Sequence, residues 1–102
     1  MKMFRRKVRH GAQLGRKLGF PTINLNVGDF GRHFRQGVHV CTIFVGRRTY
    51  SGLLYFGPKL TRRGKVLEIY LHGFSRNLYG QLVRFRIGRF VRPPRLFKFA
   101  KE

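Results

Sequence analysis

The chain has 102 residues and 12.0 kDa, and 23 Lys and Arg against 3 Asp and Glu give it a formal charge of +20. Hydrophobic residues at 42%, with 11 Phe and 4 Tyr, exclude a disordered basic tail, which would lack core-forming side chains. One Cys excludes a disulfide framework and a multi-cysteine zinc site, and no apolar run nears the roughly 18 residues of a membrane helix.

Period-2 alternation bounded by Gly, Pro and Asn predicts strands along the whole chain. A short one is expected at Met3–Arg9. It is followed by Gly11, Gly15 and Gly19, whose spacing of four lets the backbone turn tightly and approach a ligand. Consecutive peptide N–H groups there can form an anion-binding concavity, to which Arg16 and Lys17 add charge. Pro21 then opens a second short strand, Thr22–Leu25, with the Thr22 hydroxyl and Asn24 carboxamide two residues apart on one face. Two hard oxygen donors beside a phosphate cradle suit Mg²⁺. An ordinary Gly-rich connection, with Thr22 and Asn24 bonding turn backbone, explains the segment equally well, and the Walker pattern GxxxxGK[ST] is absent.

Val38–Val45 is β-branched and aromatic and ends at Gly46-Arg47-Arg48, a hairpin turn, with Thr49–Phe56 as its partner. Val66–His72 is the next strand, and Leu82–Ile87 puts Val83, Phe85 and Ile87 on one face and Arg84 and Arg86 on the other. Pro94–Glu102 could begin a helix of about two turns, with proline in its first turn. Six short strands and little helix predict a small antiparallel barrel forming one domain over residues 1–102. A charged start without a following apolar stretch points to a cytoplasmic chain.

Of the three acids, Asp29 lies in a Gly-rich loop, Glu102 is terminal, and Glu68 sits mid-strand on the face of Val66, Tyr70 and His72. A lone carboxylate among so many cations should be strongly ionised and thus a modest base; a structural salt bridge to an Arg is the other reading. The four His show no metal-ligand spacing, and Cys41 reads as a buried strand residue.

The charge costs self-repulsion, and a polyanionic partner is the usual reason to bear it. Arg outnumbers Lys 16 to 7, and the cations are spread over Arg5-Arg6-Lys7, Arg47-Arg48, Arg62-Arg63, Arg84, Arg86, Arg92 and Arg95. That spread predicts wrapping by a large RNA such as rRNA, against the alternative of a solvated surface in a generally basic host. Aromatics beside cations at Phe34-Arg35, Phe85-Arg86 and Phe97-Lys98 could stack on bases; His33-Phe34-Arg35 is the best exposed candidate, and barrel core is expected for most others.

The decamer Gly15-Arg16-Lys17-Leu18-Gly19-Phe20-Pro21-Thr22-Ile23-Asn24 resembles the G-R-x-L-G-F-P-T-x-N signature of riboflavin kinases, or flavokinases. The resemblance continues in order through Gly37-Val38, Tyr50-Ser51-Gly52, Leu67-Glu68-Ile69-Tyr70-Leu71 (the family's V-E-x-H-L), Phe74, Leu78-Tyr79-Gly80, and Arg92-Pro93 with Phe97. It implies a six-stranded antiparallel Greek-key barrel, here with a truncated C-terminal helix, that transfers the ATP γ-phosphate to the riboflavin 5′-hydroxyl, giving FMN and ADP. On that resemblance Gly11, Gly15, Arg16, Lys17, Gly19 and Pro21 cover the nucleotide phosphates, and Thr22 and Asn24 hold Mg²⁺. Glu68 takes the hydroxyl proton, and Tyr79, Arg92 and Phe97 meet the flavin. The chain departs from the family at Pro94 (for Glu), at Gly73 (for Asp), and at Gly57–Arg62, which stands for G-x-x-P-T-F. Two functions are therefore expected as alternatives: a small riboflavin kinase, or a flavokinase-like barrel reused as an RNA-binding protein, for example on the ribosome, without kinase activity.

Overall fold

The computed structural model describes residues 3–9, 22–58, 64–71 and 78–94. Within them lie six strands: β1 (Met3–Arg9), β2 (Thr22–Leu25), β3 (Gly37–Val45), β4 (Arg48–Pro58), β5 (Lys65–Leu71) and β6 (Leu82–Arg92). They close into an antiparallel barrel in the order β1-β2-β5-β4-β3-β6, with β6 pairing back to β1. Strands β3, β4 and β5 are successive neighbours and β6 returns beside β3, which is the Greek-key order. The expected all-β barrel is the one found. The predicted helix falls almost wholly outside the described residues: Pro94 has no regular structure, and residues 95–102 are not among them.

Alternation decides which side chains fill the barrel. Along β3, Cys41, Ile43 and Val45 point inward, and their registered neighbours on β6 include Phe85 and Ile87. Ile23, Leu54, Leu67 and Ile69 complete the interior from β2, β4 and β5. Burial pushes the Cys41 thiol up to about 12, so it is an inert core group. The inward His39 is 3% exposed, and its Nε2–H donates to the Arg35 carbonyl at 3.0 Å. The hairpin between β3 and β4 turns on Gly46, at φ 59°, with Val45 opposite Arg48.

A 3-10 turn, Phe30–Arg32, plugs one end of the barrel. Phe30 is fully buried, with ring centroids 5.1–5.2 Å from Phe4, Phe34 and Phe56. This corrects the expectation of an exposed platform at His33-Phe34-Arg35: Phe34 is half-buried against the core, and its ring faces Phe4, Phe30 and His39. An apolar ring beside an open barrel end gains more by closing it than by meeting water.

The last strand runs five residues beyond the predicted Leu82–Ile87. Its register against β3 shifts between Val38 and His39 and between His39 and Cys41, so β6 carries extra residues after Ile87. Those bulges break the inward–outward alternation, and with it the period-2 signal that marks a strand in sequence.

Candidate active site

The polar residues of interest lie on the outside of the barrel. In β5 the inward set is Leu67, Ile69 and Leu71, so Val66, Glu68 and Tyr70 face out, as alternation predicts; His72 lies outside the described residues. Register then brings together groups far apart in sequence. Glu68 is directly opposite Asn24 on β2 and Tyr55 on β4, and Tyr70 is opposite Thr22 and Leu53. Directly opposed residues in an antiparallel pair have Cβ atoms roughly 4.5–5.5 Å apart. Asn24, Tyr55, Glu68 and Tyr70 are all half-buried, and the exposed Leu53 adds an apolar patch beside them.

The Tyr70 hydroxyl donates to Glu68 Oε1 at 3.1 Å. Burial raises the Glu68 carboxyl above its ordinary value, and that hydrogen bond, which favours the ionised form, offsets only part of the effect. The expectation of a carboxylate held low by surrounding cations is therefore corrected. The described ion pairs involve Asp29, with Arg6 Nη2 at 2.9 Å and His33 Nε2 at 3.4 Å, and not Glu68. Tyr70 and Tyr55 are both raised by burial and next by the Glu68 charge, so each keeps its proton and serves as a donor. The Tyr55 hydroxyl donates to the Pro58 carbonyl at 2.9 Å. A carboxylate facing a carboxamide and braced by a phenol is placed to accept a proton from a hydroxyl bound against this face.

Other sequence-predicted residues are spread further. Arg92 lies on the same cross-strand row as Glu68, reached through Tyr55 and Val38, about 14 Å away at the usual ~4.8 Å per strand. Tyr79 is 52% exposed, in the turn before β6. That turn is tied to β1 by Gly80 N–H to the Val8 carbonyl (2.9 Å) and Val8 N–H to the Gln81 carbonyl (2.8 Å). Glu68 and Asn24 are thus brought together, whereas Arg92 stands three strands along the row and Tyr79 lies in the turn beside β1. Gly11, Gly15, Arg16, Lys17, Gly19, Pro21 and Phe97 lie outside the described residues, as does the side chain of Thr22. Among the described residues no group of three or more His, Cys, Asp and Glu could hold a metal. The sequence reading missed Tyr55 and Tyr70 as partners of Glu68. Tyr70 was signalled by its i+2 spacing, but Tyr55 is visible only through the β4–β5 register.

Comparison with known proteins agrees with the closed antiparallel barrel. The riboflavin kinase (flavokinase) family model matches residues 2–102. An RNA-binding riboflavin kinase of Bacillus subtilis is 38% identical over 90 residues, covering 85% of this chain and 38% of the relative. A bifunctional riboflavin kinase/FMN adenylyltransferase of Mycoplasma pneumoniae is 34% identical over 87 residues, covering 85% of this chain and 32% of the relative. A crystal structure of a protein named macrolide-efflux protein, from Streptococcus pneumoniae, superposes with a TM-score of 0.79 at 27% identity, covering 94% of this chain and 32% of that one. The chain thus spans about a third of the length of these proteins. With the match running almost from end to end on a closed Greek-key barrel, the chain belongs to the riboflavin kinase family.

Proposed function

We propose that this barrel phosphorylates riboflavin, moving the ATP γ-phosphate to the 5′-hydroxyl and yielding FMN and ADP. The observation that carries the reading is Glu68: a half-buried, raised carboxyl on the outer face, opposite Asn24 and held by Tyr70. The hydroxyl oxygen forms the new P–O bond, the bond from the γ-phosphorus to the ADP oxygen breaks, and Glu68 takes the hydroxyl proton. Little other covalent chemistry is required, because phosphoryl transfer is mainly positioning and neutralisation of charge. Tyr70 fixes the carboxylate oxygen that accepts the proton, and Tyr55, opposite Glu68, lines the same row.

Asn24 and Thr22 would hold Mg²⁺ together with the nucleotide. The donor set fits, since this ion keeps most of its shell for water and phosphate oxygens and needs only one or two protein oxygens. When bound, it would neutralise charge on the transferred phosphoryl group. The nucleotide phosphates are assigned to Gly11, Gly15, Arg16, Lys17, Gly19 and Pro21, and the flavin to Tyr79, Arg92 and Phe97, on motif correspondence.

The test is FMN formation from riboflavin, ATP and Mg²⁺ by protein stripped of nucleic acid at high salt. Wild type should make FMN, and Glu68→Gln should lower the rate about a hundredfold, the scale of a lost general base. Unchanged turnover in the variant would remove Glu68 from the role, and no FMN from wild type would remove the kinase reading.

A second reading is that the barrel binds RNA, with or without kinase activity. The +20 charge supports it, and one relative is itself named an RNA-binding riboflavin kinase. Release of co-purified nucleic acid as salt rises would support it further.

A further inference from the structure

We propose that the outer face of β1, β6 and β3, on the far side of the barrel from Glu68, is a docking surface for single-stranded RNA. The proposal rests on the RNA-binding reading above and assigns it a place. In the closed ring β1-β2-β5-β4-β3-β6, strand β6 is three steps from β5 in either direction, so the two are diametrically opposed. The outward residues Arg84 and Arg86 of β6 are exposed, and beside them on β1 stand the exposed Arg5 and Lys7.

Arg5 is the direct cross-strand partner of Arg84. Like charges so placed destabilise a sheet. No acid on this face relieves them among the described residues, since Asp29 pairs with Arg6 and His33, and Glu68 is on β5. A fold that keeps opposed guanidinium groups without a counter-charge is matched to an anion that supplies one. Successive outward residues on a strand are about 6.8 Å apart, close to the separation of phosphates along an extended nucleic-acid strand.

Phe44 of β3 tells a nucleic acid from other polyanions. Its half-buried ring lies outward, opposite Arg84 and Thr49, with the Arg84 and Arg86 guanidinium carbons 5.5 and 5.2 Å from its centroid. An aromatic ring set among cations offers stacking to an unpaired base and neutralisation to its phosphate. The described part of this face carries no helix that could enter the major groove of a duplex, and unpaired bases in cells belong mostly to RNA.

The experiment is fluorescence anisotropy of a labelled, unstructured 12-nucleotide RNA with the full chain, over a salt series. Contacts from four cations predict a log–log salt slope of about −2.8. Arg84→Glu with Arg86→Glu should weaken binding at least about tenfold and flatten the slope by about 1.4. Phe44→Leu, which keeps the apolar contact, should weaken binding at least about fivefold. The double variant should melt no lower than wild type, because it relieves repulsion opposite Arg5, and should form FMN as wild type does. Reversal of Arg32 and Lys65, exposed residues off this face, makes the same change in net charge. Equal weakening by that pair would overturn the assignment to the β1–β6–β3 face while leaving RNA binding standing. Tighter binding of duplex DNA or heparin than of the RNA would overturn the choice of partner. No RNA bound by wild type at low salt would sink the RNA reading itself.

Discussion

At the scale of single residues, the Glu68–Tyr70 pair makes the sharpest prediction. The Tyr70 hydrogen bond stabilises the ionised carboxylate, so Tyr70→Phe should raise the Glu68 pKa further. The acid limb of the FMN-formation rate should then move to higher pH, with the alkaline plateau kept within about threefold; an unmoved limb would separate Tyr70 from the proton transfer. The stability consequence of Glu68 has the opposite sign from that of an ordinary surface carboxylate. Because its folded-state pKa is raised, its contribution is fully present below the ordinary 4.5 and is lost as pH rises through the folded value. Glu68→Gln should therefore melt at or above wild type at neutral pH while losing activity. Asp29 behaves the other way: the hydrogen bond from His33, with the nearby His33 and Arg6 charges, lowers it, and its contribution is lost as pH falls below the ordinary 3.8. Glu68 was legible in the sequence as an acid in mid-strand, but its raised pKa was not. Charge composition counts cations over the whole chain, whereas a carboxyl responds to its own burial.

At the scale of elements, the barrel depends on close strand approach and on its aromatic plug. A Cβ at Gly52 would lie 2.6 Å from the Tyr70 carbonyl oxygen and 2.7 Å from Leu71 Cδ2. Gly52→Ala should thus part β4 from β5 under the candidate site, costing about 1–3 kcal/mol in denaturant unfolding and lowering kinase activity with it. Gly37, at φ 141°, crosses so near the Arg92 carbonyl that any Cβ would collide with it, which ties the start of β3 to the end of β6. Phe30→Ala should cost about 3–5 kcal/mol, since it empties a fully buried site among Phe4, Phe34 and Phe56. A loss under about 1 kcal/mol would mean that Phe34 swings in to close the barrel alone. The strands themselves were readable wherever alternation was clean, as in Leu82–Ile87. Reading failed at the β6 bulges and at Phe34, because a bulge erases the period and a loop aromatic shows no period at all.

At the scale of the whole molecule, a charge of +20 opposes compaction, so added salt should raise the melting temperature by screening repulsion. A rise should be plain between 20 and 200 mM salt; a flat response would mean that the cations are already compensated within the fold. Barrel closure also separates two chemistries that are interleaved in the chain, the lone carboxylate on β5 and the opposed cations of β1 and β6. The sequence by itself determined the number of strands, the inward and outward sets where alternation is unbroken, the family signature and the charge, because these depend on residue type and local period. Only the tertiary structure decided that Asn24 and Tyr55 flank Glu68, that Phe34 joins the core, and that Arg5 faces Arg84. Those outcomes depend on register between strands distant in sequence, and register is set by closing the barrel around its core.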